Sequence, residues 1–421
     1  MKLWQKVLLA MTLGIALGYM LNINGPLNYD GKDMLKAYLK PIGTSFIDLI
    51  KMVVVPLIFF SLISGITGMT DSGAFKRIGL KAVITFMTTA MLAVVIGIVF
   101  GLIFEPGKNV NIAAMLEKSG ETHIVAKAQE TFSFAKLLSD IIPSNVIGAM
   151  SNNDHILQVV LFAIFTAITI NSLGEKAQLI REVCQSAAQV IFKMINTIMK
   201  ASPYGVFAIM ASLVSSQGLD IIKDMAVLVI TVGCALFAQY VLYGILIVVF
   251  GRMSPMPFYR KILEVQSFAF STSSSKATLP TAMRVSHERI GVSKNNTSFV
   301  LPLGASINMD GTAIYLGICS LFFAQAAGIT LSTQQYVLLV LTATLGSIGA
   351  AGIPGGAIIM MGMVFSSVGL PLDGIAIILG IDRILDMMRT TVNITGDSVI
   401  TMLVDKSEGT FDEKTYHDMS L

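Results

Sequence analysis

The chain has 421 residues, of which 54% are hydrophobic and 13% are charged, and its formal net charge is +3. Soluble domains carry about 25% charged residues, so this composition excludes an ordinary soluble protein and indicates a membrane protein. The small net charge gives no indication of a nucleic-acid partner. Its three cysteines and four histidines are widely scattered. We therefore expect neither a disulfide nor a Cys/His metal site.

Apolar segments long enough to cross about 30 Å of hydrocarbon recur along the first 250 residues. The fifth of them contains Pro203, where a bend is expected. Basic residues cluster at alternate ends of the segments, which predicts a cytoplasmic N-terminus. The first segment has no clear cleavage site, so we expect a retained helix rather than a signal peptide. We predict six transmembrane helices, at about 5–22, 43–70, 80–104, 145–173, 183–215 and 223–250.

The regular pattern fails after residue 255. Segment 256–290 is interrupted by the Ser-rich run 271–280, and segment 333–368 is interrupted by the Gly-rich run 346–356. Each segment predicts a re-entrant hairpin, whose irregular tip is tolerated in a membrane only where protein or water surrounds it. When the predicted spans are counted from a cytoplasmic N-terminus, the first hairpin enters the membrane from the cytoplasm and the second enters it from outside. This arrangement is typical of an inverted repeat with a binding site between its halves.

A full helix is predicted after each hairpin, at about 297–327 and about 373–405, and each carries an Asn/Asp/Gly cluster. The last helix has five polar residues at i, i+4, i+7, i+11 and i+15, which fall within an arc of roughly 80°. Charged groups at membrane depth are costly and mark functional sites. The stripe therefore predicts a site for something small and charged. Its members are Asp382, Asp386, Arg389, Asn393 and Asp397.

The residue types of this stripe complement an acidic α-amino acid. Arg389 offers a planar guanidinium that binds carboxylates in a bidentate manner. Asp386, about one turn away, suits an ammonium group, and Asn393 suits a second carboxylate. An alternative is that Asp386 and Arg389 form a buried ion pair that holds two helices together.

Two further acidic residues, Asp310 and Asp397, have no Lys or Arg nearby in sequence. A carboxylate among amides, glycines and broken-helix carbonyls makes an oxygen cage for small monovalent cations. Gly311 and Gly396 are predicted to lie in unwound backbone that turns its carbonyls toward an ion. The alternative is that one Asp takes up a proton and serves a proton relay.

The tips of the two hairpins suggest different roles. The Ser-rich tip offers hydroxyl and backbone N–H groups to an anion, and the Gly-rich tip is suited to act as a lid. Ser273 and Lys276 also match the S-x-x-K pattern of acyl-serine enzymes, but no S-D-N or K-T-G motif follows. We therefore expect no enzyme activity.

Taken together, these motifs resemble the dicarboxylate/amino acid:cation symporters, a family that includes aspartate and glutamate transporters. The resemblance covers nearly the whole chain, and its motifs are Ser273-Ser-Ser275, Ala277–Pro280, Asn308-Met-Asp-Gly-Thr312, Gly352-Ile-Pro-Gly355 and the stripe Asp382–Asp397.

The resemblance implies an all-α membrane protein with eight transmembrane helices, two re-entrant helical hairpins and inverted repeats. It also implies a homotrimer in the cell membrane, with both termini in the cytoplasm and an elevator-type transport domain moving against a scaffold. The implied units are scaffold helices 1 and 2 (1–72), the third helix with an external loop (73–130), scaffold helices 4 and 5 (131–217) and the remaining transport domain (218–421).

Site residues are carried over from the resemblance position by position. The acidic amino acid would contact Arg389, Asp386, Asn393, Thr390, Thr312, Ser274, Ser275, Ile353 and Ala357. Co-transported sodium, the expected coupling ion, would contact Asp397, Asn308, Gly304 and Asn393 at one site, Asp310 and Thr89 at another, and Ser306, Met309, Ser347 and Ile348 at a third.

The sequence departs from the family at informative positions. Phe86 and Ala90 replace oxygen-bearing residues beside Thr89, so the second sodium site loses two oxygens. Leu316 replaces an acidic residue linked to proton coupling in animal relatives, which favours sodium. Asp386 together with Arg389 favours aspartate or glutamate over dicarboxylates and neutral amino acids. A proton-coupled glutamate or dicarboxylate carrier and an anion-conducting channel remain the alternatives.

Overall fold

The computed structural model describes most of the chain, and every regular element in that part is a helix. This finding confirms the predicted all-α class. Ile353 and most of the external loop predicted within 73–130 lie outside the described residues. Those residues are 3–22, 35–67, 73–110, 142–151, 156–217, 220–350, 355–370 and 375–419.

Each span predicted in the first 250 residues corresponds to one helix or to two consecutive helices. The fifth span is divided at residues 200–201, next to Pro203, where the bend was expected. The helices are α1 (Leu3–Met20), α2 (Lys40–Thr67), α3 (Gly73–Phe104), α4 (Val146–Met150), α5 (Ile156–Leu173), α6 (Gln178–Met199), α7 (Ser202–Gln217) and α8 (Asp220–Val249).

In the second part of the chain, each predicted hairpin is a pair of consecutive helices that contact one another. The first pair is separated only by Ser273 and Ser274, and Pro280 lies inside its second helix. A re-entrant course through the membrane stays a prediction. The helices are α9 (Met256–Thr272), α10 (Ser275–Val285), α11 (Lys294–Ile307), α12 (Asp310–Ala326), α13 (Thr333–Gly349), α14 (Gly356–Val368), α15 (Ile375–Ser407) and α16 (Glu413–His417).

Four helical stretches in the described part of the chain are long and apolar enough to cross a membrane by length and composition. Shorter apolar stretches occur in α1, α2 and α14. The count of eight transmembrane helices therefore stays a prediction. The four stretches are Arg77–Phe104, Gln158–Ile195, Met225–Val249 and Lys294–Ala326.

Helix α12 lies in the interior of the described structure. Nearly all of its residues are buried, and it contacts α3, α8, α13, α14 and α15. A helix that is apolar on all sides is stable only when neighbours cover every face. Helices α3 and α8, in contrast, expose large apolar side chains on their outer faces, among them Ile103 and Phe237. An outer apolar surface of this kind fits contact with lipid.

The helix predicted at about 297–327 is interrupted in its middle. Asn308 has extended backbone angles (φ −87°, ψ 96°), and Met309 is also non-helical (φ −123°, ψ 52°). Helix α11 therefore ends, and α12 begins, inside the buried interior. Helix ends leave carbonyl and N–H groups without intrahelical partners. The interruption consequently supplies polar backbone where the polar stripe of α15 passes.

The prediction that Gly311 and Gly396 lie in unwound backbone is wrong. Gly311 is in the first turn of α12, and Gly396 lies within the continuous helix α15. Close approach between helices explains both glycines. A Cβ on Gly396 would lie 2.4 Å from the hydroxyl oxygen of Tyr243 in α8, and one on Gly311 would lie 2.7 Å from the carbonyl oxygen of Arg389.

Candidate functional site

The predicted polar stripe of α15 is buried along its whole length. Five residues of one helix face thus place three carboxylates, one guanidinium and one amide in the protein interior. The exposed fractions are 4% for Asp382, 7% for Asp386, 1% for Arg389, 3% for Asn393 and 0% for Asp397.

Arg389 is paired with two carboxylates of its own helix. Its Nη2 lies 2.8 Å from Asp382 Oδ1 and 3.2 Å from Asp386 Oδ1. The guanidinium carbon also lies 3.9 Å from the ring centroid of Tyr315 in α12, a cation–π arrangement. The ion pair considered as an alternative is therefore present, but it lies within α15 and does not join two helices.

Arg389 keeps two donors without partners despite these contacts. Its Nε and Nη1 atoms are buried and have no hydrogen-bond partner among the described residues. Tyr315 covers the face of the guanidinium and donates its hydroxyl to Asp382 Oδ1 at 2.9 Å. A buried unpaired donor is costly, and native structures rarely keep one without a reason. The two donors fit an anionic ligand, above all a carboxylate.

The second hairpin meets this stripe at Asp386. The backbone N–H of Gly355 lies 3.4 Å from Asp386 Oδ2, and Gly355 has a left-handed backbone (φ 78°). Ala357, in the first turn of α14, is buried. Thr390 is buried as well, and it donates its hydroxyl to the carbonyl of Asp386 at 2.8 Å. Two of the predicted substrate contacts, Asp386 and Thr390, are thus hydrogen-bonded to each other, and the second hairpin reaches the Asp386 carboxylate through Gly355.

The Ser-rich tip of the first hairpin contributes two hydroxyls without partners. Ser273 adopts a left-handed conformation (φ 51°), and the Oγ atoms of Ser273 and Ser275 are buried without hydrogen bonds. Ser274 caps α10 by accepting from the N–H of Ala277 at 3.3 Å. Helix α10 and the helix that carries the stripe, α15, are in contact. An anion is favoured at such a helix N-terminus.

Asn393 links the stripe to the interruption between α11 and α12. Its Oδ1 accepts from the N–H of Gly311 at 2.7 Å, and its Nδ2 lies 3.2 Å from the sulfur of Met309. Thr312, one residue beyond Gly311, is also buried. The position of Asn393 is thus fixed by the first turn of α12.

Asp397 lies against the other side of the interruption. Its Oδ1 accepts from Asn308 Nδ2 at 2.9 Å, whereas its buried Oδ2 has no hydrogen-bond partner in the part of the chain that the structure describes. Gly304 lies so close that a Cβ there would be 2.8 Å from Asp397 Oδ1. The Gly304 carbonyl accepts from the N–H of Asn308 at 2.7 Å. A carboxylate, an amide and a helix-end carbonyl therefore converge.

Asp310 is held by donors from two neighbouring helices. Tyr243 and Gln239 of α8 donate to its Oδ2 at 2.7 Å and 2.9 Å, and Thr89 of α3 lies 3.4 Å from its Oδ1. The sequence analysis paired Thr89 with Asp310 but missed Gln239 and Tyr243. No local motif indicates those two residues, because only the packing of α8 against α12 brings them to the carboxylate.

The third set of predicted sodium contacts lies near two helix ends. Ser306 and Met309 flank the end of α11, Ser347 and Ile348 are in the last turn of α13, and these two helices are in contact. Both serine hydroxyls donate within their own helices, Ser306 to Pro302 at 3.1 Å and Ser347 to Thr344 at 2.8 Å. The hydroxyl oxygens keep their lone pairs, so both they and the backbone carbonyls at these helix ends are available to a cation.

Buried charges on one helix, irregular backbone in the buried interior and converging oxygen ligands are typical of membrane transport proteins for small charged solutes. The sequence matches the profile of the sodium:dicarboxylate symporter family over residues 3–407. The chain belongs to this family. It is a transporter and not an enzyme, as expected from the isolated S-x-x-K match.

Relatives across the family carry two kinds of name. The chain is 33% identical to a proton/sodium-glutamate symport protein of Bacillus caldotenax over 414 residues, 98% of this chain and 95% of that protein. It is 34% identical to a C4-dicarboxylate transport protein of Bacillus subtilis over 415 residues, 98% and 96% of the two chains. A C4-dicarboxylate transport protein of Azorhizobium caulinodans is 36% identical over 413 residues, 98% and 90% of the two chains.

Proposed function

We propose that this chain is a secondary active symporter that takes up L-aspartate, L-glutamate or both, driven by sodium. The observation that carries the proposal is the buried Arg389, whose Nε and Nη1 lack partners, beside the carboxylate of Asp386. An acidic amino acid supplies a carboxylate for the guanidinium and an ammonium for Asp386. A second carboxylate would meet Asn393, Thr312 and the tip residues Ser274 and Ser275, with Ile353 nearby.

A C4-dicarboxylate carrier is the second candidate function. Two relatives are named C4-dicarboxylate transport proteins, which favours this function. The sequence identity of each to this chain is higher than that of the glutamate symport protein of Bacillus caldotenax. Asp386 favours the amino acid over a C4-dicarboxylate, since an ammonium group on the substrate adds a positive partner for this buried carboxylate and a dicarboxylate supplies none. For this reason we favour the amino acid.

Sodium is the coupling ion that fits the oxygen-rich surroundings of Asp397. Its unpartnered Oδ2 and the carbonyls of Gly304, Asn308 and Asn393 would form one site. Carbonyl and carboxylate oxygens are ligands of hard cations. Asp310 with Thr89 would form a second site, and the helix ends of α11 and α13 a third. Protons are the alternative coupling ion, consistent with the names of glutamate relatives.

The proposed mechanism follows from the links between these sites. Sodium at Asp397 stabilises the interrupted segment through Asn308, and that segment positions Asn393 through Gly311. Substrate then binds Arg389 and Asp386, and the second hairpin closes over it. A half-filled site would carry unpaired charges through apolar surroundings, so only the filled or the empty site crosses.

We also propose the assembly that the resemblance implies. It is a homotrimer in the cell membrane with cytoplasmic termini, in which the transport domain slides against the scaffold. Crosslinking of purified protein in lipid tests the trimer, since a monomer or dimer as the largest species would contradict it.

Titration calorimetry tests the substrate assignment directly. The purified protein, in buffer containing sodium, is titrated with L-aspartate, L-glutamate and succinate. We expect one of the amino acids to bind more tightly than succinate. Binding of succinate with no binding of either amino acid would favour the second candidate function.

A further inference from the structure

A second guanidinium lies beside Asp386. Arg383 precedes Asp386 by one turn of α15, and its Nη1 is 3.6 Å from Asp386 Oδ2. This separation is within ion-pair range but too long for a hydrogen bond. The Arg383 side chain is only 16% exposed, and its buried Nε has no hydrogen-bond partner within the described ranges. Arg383 is therefore a cation held next to the site by a loose contact.

Arg383 completes the charge balance of the stripe. Asp386 faces Arg389 through Oδ1 at 3.2 Å and Arg383 through Oδ2 at 3.6 Å, while Arg389 is also paired with Asp382. Two carboxylates and two guanidinium groups within two turns sum to zero. Without Arg383 the same group would carry a net charge of −1 in a buried place. Arg389 alone cannot neutralise both carboxylates and also bind an anion.

We propose that Arg383 is a specificity-determining residue that neutralises Asp386 when the bound anion has no amine. The inference rests on the proposed function, in which Asp386 receives the amine of the substrate. With an acidic amino acid, the ammonium replaces Arg383, whose long side chain moves away from a contact without hydrogen bonds. With a C4-dicarboxylate, Arg383 stays at Asp386. The site therefore accepts C4-dicarboxylates in addition to its amino acid.

The test compares two ligands on the same purified full-length protein. The dissociation constants of L-aspartate and succinate are measured by calorimetry in sodium buffer for the wild type and for Arg383→Gln. In Arg383→Gln the group carries a net charge of −1, which repels the succinate dianion, whereas the ammonium of aspartate offsets it, so we expect the succinate-to-aspartate ratio of dissociation constants to rise at least about tenfold. Arg383→Lys keeps the charge, and its ratio should stay near that of the wild type.

Two further variants separate electrostatics from structural damage. Arg284→Gln removes an arginine that pairs with Glu264 on the exposed surface of the first hairpin, and it should leave the ratio unchanged. In the double variant Arg383→Gln/Asp386→Asn, both charges of the pair are gone. We expect the succinate affinity to recover relative to Arg383→Gln alone, a rescue that lost packing would not produce.

Three outcomes would overturn the inference. Arg383→Gln could raise both dissociation constants by the same factor, the double variant could show no recovery, or the wild type could bind aspartate but not succinate. A wild type that binds succinate but neither amino acid contradicts the proposed function itself, and the inference with it. The two failures are thus distinguishable.

Discussion

Asn308 Nδ2 donates to Asp397 Oδ1 at 2.9 Å, which joins the interruption between α11 and α12 to the middle of α15. The other oxygen of Asp397 is buried without a partner. On the same interruption, the N–H of Gly311 donates to Asn393. A cation bound at Asp397 would therefore act on the segment that positions Asn393, a proposed substrate contact. This short path would couple ion binding to substrate binding through a free energy shared by adjacent sites.

Asp397→Asn should weaken the sodium dependence of substrate binding. The amide keeps the size of the side chain but removes the only formal negative charge of the proposed site. The dissociation constant of L-aspartate, measured across sodium concentrations, should respond less steeply than in the wild type. Asp412→Asn, in the exposed cap of α16, is the matched control. If the dissociation constant of Asp397→Asn depends on sodium concentration as steeply as that of the wild type, Asp397 does not bind sodium.

Gly304→Ala should damage the same site through sterics. The added Cβ would lie 2.8 Å from Asp397 Oδ1 and 3.0 Å from the Phe86 ring, so one of these groups must move. Overpacking of a buried site costs about 1–3 kcal/mol. We expect a reduced sodium affinity in a titration monitored by substrate binding. Gly148→Ala has no neighbour closer than 3.7 Å and should behave as the wild type.

Arg389→Cys should abolish uptake of acidic substrates, because a buried substrate carboxylate would lose the guanidinium proposed to bind it. Small neutral amino acids gain room and should compete better than before. Competition by L-serine and L-glutamate against a labelled substrate measures the change, with Arg284→Cys on the protein surface as control. Normal accumulation of aspartate by Arg389→Cys would show that Arg389 does not bind the substrate.

Tyr243→Phe should make the carrier depend more strongly on sodium. The change removes the 2.7 Å hydrogen bond to Asp310 and leaves Gln239 as the only donor to that oxygen. Hydrogen bonds to charged groups contribute about 1.5–3 kcal/mol. Without this hydrogen bond the Asp310 carboxylate is less stable until sodium binds it. The affinity for aspartate should therefore fall at low sodium concentration and recover at high sodium concentration. Tyr240→Phe, in the same helix but bonded to Gln266, is the control. If both variants respond to sodium alike, Asp310 is not a cation site.

Glu408, just beyond the end of α15, should contribute stability that is lost in acid. Hydrogen bonds from Lys81 and then Arg77 at the start of α3 lower the pKa of Glu408 below its ordinary value of 4.5. A carboxyl group whose pKa is lower in the folded than in the unfolded protein stabilises the fold at pH values above its unfolded pKa. This stabilisation is lost as the pH falls through the folded pKa. The melting temperature of the wild type should exceed that of Glu408→Gln at pH 6, and the difference should shrink below about pH 4. A constant difference would contradict this role.

The periodicity of α15 allowed its polar stripe to be predicted, because helical spacing alone places Asp382, Asp386 and Arg389 on one face. Arg383 lies three residues before Asp386, and that spacing was an available signal that the sequence analysis did not use. Tyr315, Gln239 and Tyr243 were beyond reach, since their contacts depend on how α8 and α12 pack against other helices.

Glycine was the least predictable residue of the site. In sequence, Gly396 beside Asp397 is equally compatible with unwound backbone and with close helix packing. The structure shows close packing against Tyr243 in α8. The true interruption falls at Asn308 and Met309, neither of which is a strong helix breaker. Tertiary hydrogen bonds from Asn308 to Asp397 stabilise it, and no local preference does so.

The central claim, sodium-driven uptake of an acidic amino acid, is tested most directly in liposomes that contain the purified protein. Radiolabelled L-aspartate uptake is followed under an inward sodium gradient and, separately, under an inward proton gradient. We predict accumulation above equilibrium with sodium only, and none for Asp397→Asn. Accumulation driven by protons alone would contradict sodium coupling and would make the buried carboxylates of Asp310 and Asp397 proton carriers.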